Sequence, residues 1–86
     1  MTKYSGLQNF LAASPTSSVT LSFAQVDIIL ADPLPRSARE YEIWWNNDDP
    51  SHSHCRSWRT ASFLAVPDLG AGLVRFERVP ALAGAK

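Results

Sequence analysis

Leu7, Phe10 and Leu11 stand at i, i+3 and i+4, a single apolar stripe that predicts a helix from Tyr4 to Ala13. Pro15 cannot donate to a helical ladder and stops it, and Ser14-Pro15-Thr16-Ser17-Ser18 reads as a loop. Val19-Thr20-Leu21 is short and β-branched, which suits a brief strand. Ser22-Phe23-Ala24-Gln25 has the form of a capping box: the hydroxyl takes the backbone N–H three residues on, and the Gln side chain reaches back. A second helix is therefore expected from Phe23 to Ala31, with Phe23, Val26 and Leu30 buried, Ile29 beside them, and Asp32-Pro33 ending it.

After the loop Ala31-Asp32-Pro33-Leu34-Pro35, Pro35 suits the first position of a helical turn continued by Arg36 to Glu40. Tyr41-Glu42-Ile43-Trp44-Trp45 has strand composition. Alternation places Tyr41, Ile43 and Trp45 on one face and Glu42, Trp44 and Asn46 on the other; a helix through Trp45 is the competing reading. Asn46 to Pro50 is a loop whose Asp49-Pro50 resembles an N-cap followed by the favoured proline. A third substantial helix then spans Ser51 to Ser62. Cys55, Trp58 and Ser62 line its inner side, and His52, Ser53, Arg56, Arg59 and Thr60 lie outside. Phe63 to Pro67 and Leu73 to Val79 form a hairpin across Asp68 to Gly72, with Val74 and Phe76 facing the core.

This order defines an α+β domain: three main helices packed on a small antiparallel sheet, winged-helix-like because a helix runs straight into a C-terminal β-hairpin. Residues 1–79 are expected to form one globular domain, and 80–86, rich in Ala and Gly, a flexible tail.

The chain has 86 residues, enough for one core and no more. Eight Lys and Arg balance eight Asp and Glu, so the formal charge is zero. Attraction to a polyanion must then come from local clustering. One cysteine, Cys55, allows no internal disulfide and suits a reducing compartment. Met1 to Gly6 lacks the apolar run of a secretory signal, and no stretch approaches the length of a bilayer span. A cytoplasmic protein without a membrane role is the expectation.

Leu34-Pro35-Arg36-Ser37-Ala38-Arg39, Trp44-Trp45-Asn46-Asn47 and His52-Ser53-His54-Cys55-Arg56-Ser57-Trp58 together resemble an uncharacterised family of small bacterial domains. Its pattern reads L-P-x-S-A-R, W-W-x-N, H-S-x-A-x-x-W, then a Gly and a closing V-x-F-x-R strand. The resemblance runs from Tyr4 through Arg78. Pro35, Ser37, Ala38, Arg39, Trp44, Trp45, Asn47, His52, Ser53, Trp58, Val74, Phe76 and Arg78 match. Cys55 stands in place of Ala, and Ser62 where the family turns on Gly. The resemblance implies a domain found alone or joined to nuclease-like partners, hence nucleic acid, and implies no enzymatic activity.

The residues themselves offer one polar constellation. Arg36 and Arg39 are spaced to share a side of one turn, and Arg56 and Arg59 repeat the spacing. If the two turns meet, these guanidinium groups join Ser37, Asn47, His52 and Ser53 in one face suited to phosphates and base edges. A DNA-binding accessory or regulatory module is the leading expectation. Against it stand Glu40, Glu42, Asp48 and Asp49, close enough in sequence to neutralise the arginines. A protein-interaction module or homodimer is the alternative, with an exposed Trp and the arginines as anchors. Trp44, Trp45 and Trp58 suit base stacking, but at least two of them are expected in the core.

A zinc reading of His52, His54 and Cys55 is disfavoured, because His-x-His on a helix separates the rings by about 200°. Neither metal nor small-molecule cofactor is expected. His52 with Asp49 is the nearest approach to an acid–base pair, but no oxyanion hole or glycine-rich loop accompanies it. A non-catalytic domain is expected.

Overall fold

The computed structural model describes residues 4–49 and 51–79. Helix α1 spans Ser5–Ala13, strand β1 Ser18–Ser22, helix α2 Phe23–Leu30 and helix α3 Arg36–Glu40. A 3-10 turn covers Glu42–Trp45, followed by helix α4 at Ser53–Thr60, strand β2 at Phe63–Asp68 and strand β3 at Leu73–Arg78. The strands form one antiparallel sheet in the order β1-β3-β2. The fold is α+β. The expected tail, 80–86, lies outside the described residues. No helix among the described residues is long and apolar enough to cross a membrane.

The expected capping box starts α2. Ser22 Oγ accepts the Gln25 N–H at 3.0 Å, and Gln25 Oε1 accepts the Ser22 N–H at 2.8 Å. The helix ends in a Schellman arrangement: the Asp32 N–H donates to Asp27 O and the Ala31 N–H to Ile28 O, both at 3.1 Å. Ala31 takes the left-handed conformation there, φ 58°. Helices α1 and α2 pack closely at Gly6, where a Cβ would come within 2.7 Å of the Ile29 carbonyl oxygen.

The sheet register fixes which side faces inward. Val19 pairs with Phe76 and Leu21 with Val74, while Ala65 and Pro67 oppose the same two residues from β2. Phe76 and Val74 are fully buried, as expected from alternation. The helices cover this face. The core is centred on Trp45, Trp58, Phe63 and Phe76, with Leu7, Leu11 and Val26 from the first two helices. Burying side chains of this size contributes about 1.5–3 kcal/mol each, before the entropy of ordering them.

Arg78 closes the domain. Its guanidinium lies 4.6 Å over the Phe63 ring and donates to the carbonyls of Ser14 and Thr16. It thereby ties the end of β3 to the loop between α1 and β1.

Four local expectations are corrected. Pro35 precedes its helix rather than opening it; with ψ 156° it is still extended, and α3 starts at Arg36. Tyr41 to Trp45 is not a strand. After an extended Tyr41 the chain winds into the 3-10 turn, which gathers Trp44 and Trp45 edge to face at 4.7 Å between centroids. Trp45 is buried, whereas Ile43 is 75% exposed, so the expected common face of Tyr41, Ile43 and Trp45 does not form. Helix α4 runs Ser53–Thr60 rather than Ser51 to Ser62, because Asp49 caps a turn and not the helix: its carboxylate accepts the Ser51 N–H and its carbonyl the His52 N–H. Pro50 lies outside the described residues. Ser62 is exposed rather than part of the inner stripe, and adopts φ 70°.

Candidate nucleic-acid interface

Helix α4 is the element with a rigid inner side and a basic outer one. Cys55 and Trp58 are buried, and Ser57 is anchored by its hydroxyl to the His54 carbonyl at 2.6 Å. With that side fixed against α1 and β2, Arg56, Arg59 and Thr60 are exposed and Ser53 half-buried. No carboxylate occurs anywhere from 51 to 67. The Arg56 guanidinium reaches the Ser51 carbonyl at 3.4 Å. Among the described residues Arg59 makes no ion pair.

The other half of the expected constellation is engaged within the fold. Arg36 Nε pairs with Glu40 at 2.7 Å across one turn of α3. Arg39 pairs with Asp27 of α2 and lies over the Phe23 ring, its guanidinium carbon 5.8 Å from the centroid. Asp27 also accepts the Leu34 N–H at 2.8 Å, so one carboxylate ties α2 both to the following linker and to α3. Ser37 is exposed on α3. The expectation of four converging guanidinium groups thus gives way to two arginines on α4 and two held by carboxylates elsewhere. Asp27, twelve residues from Arg39, left no local signal in the sequence.

Asn47 has a structural assignment. Its amide oxygen accepts both Trp58 Nε1–H and Ala65 N–H at 2.8 Å, and its amide nitrogen donates to Ala65 O at 3.0 Å. It pairs with the outer edge of β2 as a neighbouring strand would. The adjoining Pro67 has no N–H to offer there.

The start of α4 holds an arrangement that helical geometry alone does not give. His52 is extended, φ −82° and ψ 132°, so its ring escapes the helical separation expected for His-x-His. The rings of His52 and His54 stack at 5.3 Å and 18°. His54 in turn stacks on Trp44 at 3.9 Å and 9°. Tyr4 meets the edge of His54, and Trp58 lies tilted behind it. Trp45 and Trp58 are buried, with their indole N–H groups bonded to Ala38 O and Asn47; Trp44 alone of the three is partly exposed.

Burial pushes the His54 pKa below its usual value and the neighbouring His52 adds to the shift; a hydrogen bond to the Trp44 backbone and the charge of Asp49 oppose it. The Asp49 carboxyl is held below its ordinary range, first by the Ser51 hydroxyl bonded to it, with smaller help from the Ser51 backbone and the two histidines. His52 Nε2 stands 3.2 Å from Asp49 Oδ2. Stacked imidazoles do not converge their nitrogens on one point, and no group of three or more His, Cys, Asp or Glu among the described residues is placed to hold a metal. Two surface recesses, of about 350 and 330 Å³, are lined by neither histidine. The first lies over the open sheet face at Thr20, Val66 and Arg75; the second lies between α1 and α2, against Phe10, Leu21 and Ile28.

The family model of a domain of unknown function, DUF7662, matches residues 4–79, and the chain belongs to that family. Comparison with curated proteins and with solved structures gives no match.

Proposed function

We infer that this domain is a small, non-catalytic DNA-binding module of the cytoplasm that presents α4 to the phosphate backbone. The observation that carries the reading is the exposed side of α4: Arg56 and Arg59, with Thr60 and the nearby Ser53, on a stretch free of carboxylates. Guanidinium forks suit phosphate oxygens, and the helix that carries them is packed by Cys55 and Trp58, so its backbone needs no ordering on binding. The arrangement around it supports a winged-helix-like reading: α4 leads directly into the β2–β3 hairpin, and β1 joins on the far side of β3. The zero net charge means that attraction is local and short-ranged.

Fluorescence-anisotropy titration of a labelled duplex at low and moderate salt tests this. Affinity is expected to fall with salt, and Arg56→Ala with Arg59→Ala to weaken binding on all sequences, with the salt slope reduced by about two. Binding indifferent both to salt and to the double substitution refutes the reading.

A second reading, a protein-interaction module, has its own observation. Ile28 on α2 is 78% exposed beside the apolar recess formed with Phe10 and Leu21. Sedimentation mass of wild type and Ile28→Asp checks whether that face is used for self-association.

A further inference from the structure

We propose that the ring stack at the start of α4 receives an unpaired nucleobase on the outer face of His52, so that the module favours DNA with an unstacked nucleotide over blunt duplex. The inference rests on the DNA-binding reading and adds to it the form of DNA recognised. Three observations carry it.

Two of the ring contacts run in series, Trp44 on His54 and His54 on His52. Trp44 and His54 are nearly parallel at 3.9 Å, a true stacking distance, and His52 continues the series at 5.3 Å with an 18° tilt. The inner members are packed from several sides: Trp44 against Tyr4, Trp45 and Trp58, and His54 against Tyr4 and Trp58.

The outer member is open. The His52 side chain is 61% exposed, and its Nε2 is held by Asp49 at 3.2 Å. A planar heteroaromatic ring laid on this face extends the series by one. Every nucleobase has such a face, so recognition by stacking is tolerant of sequence.

The phosphate site adjoins it. The His52 carbonyl accepts the Arg56 N–H at 3.0 Å, the first helical bond of α4, so the residue that carries the outer ring opens the helix that carries Arg56. A base on His52 would thus lie at the end of the helix whose arginines take the phosphates. The His52 side chain caps no helix N–H.

The test compares a labelled blunt duplex, the same duplex with a one-nucleotide overhang, and the overhang made abasic. Wild type is expected to bind the overhang roughly fivefold or more tightly than the blunt form, with the abasic overhang equal to blunt. His52→Ala is expected to erase that preference with the circular dichroism unchanged, and His52→Phe to restore it. If all three DNAs bind alike, or if His52→Ala keeps the preference, the base site is overturned and DNA binding stands. If none of the DNAs binds, both fall.

Discussion

The indole N–H of Trp58 and the open edge of β2 share one partner, the side-chain amide oxygen of Asn47. A single residue in an irregular loop thus fixes the central aromatic of α4 and finishes the sheet. Replacing it removes several bonds together. Asn47→Ala leaves a buried indole donor and both polar groups of Ala65 without their partner. The expected cost is about 2–4 kcal/mol, from about 1–3 kcal/mol for each buried group left unsatisfied with partial rescue by water. Urea unfolding followed by Trp fluorescence measures it. Asn47→Asp keeps the acceptor but loses the donor to Ala65 O, and falls between wild type and Asn47→Ala.

Ser62 carries a left-handed backbone, φ 70°, just past the end of α4. For a residue with a Cβ this conformation costs about 1–2 kcal/mol, which glycine avoids while losing about 0.5–1 kcal/mol in chain entropy. Ser62→Gly is therefore expected to raise stability by about 0.5–1 kcal/mol. Its side chain makes no hydrogen bond among the described residues, so little is lost. Paired thermal melts of the two proteins give the answer, and an unchanged or lower Tm contradicts it.

His54 makes the fold sensitive to mild acid. Its pKa in the fold lies below the unfolded value, chiefly through burial, so the folded state prefers the neutral ring. The sign follows from linkage: stability is level above the unfolded pKa, about 6.5, and declines as pH falls below it toward the folded pKa. Asp49, also held low, adds a separate loss only in the carboxylate range. Melts from about pH 8 to about pH 5 are expected to show a falling Tm, and His54→Phe to flatten the slope in that window. An identical slope in the variant would sink this assignment.

Much of the fold was legible because its signals are local. The capping box at Ser22 and Gln25, the stop at Pro15, and the alternation that buries Val74 and Phe76 each depend on a few neighbouring residues. The misreadings came where tertiary contacts decide. Tyr41 to Trp45 has strand composition, but the Asn47 amide takes the outer edge of β2, and the 3-10 turn sets Trp45 in the core with the half-buried Trp44 edge to face against it. The pairing of Arg39 with Asp27 depends on how α2 and α3 meet, which no spacing reveals. At the start of α4, Asp49 and Pro50 pointed to a helix start at Ser51, two residues early. Asp49 instead closes a turn on Ser51, and the extended His52 that follows carries its ring onto His54.

The finished edge of β2 has a consequence for assembly. Asn47 occupies the outer groups of Ala65 and Pro67 has no N–H to offer, so among the described residues the more open edge of the sheet is that of β1. There the ladder to β3 uses the odd-numbered residues, as the bonds of Ser17 and Phe23 show, and Ser18 and Thr20 turn their backbone groups outward. A second molecule joining β1 to β1 would bring its own obstructed border. The joint sheet would then be obstructed at both ends, which favours stopping at two copies over running on into a fibre.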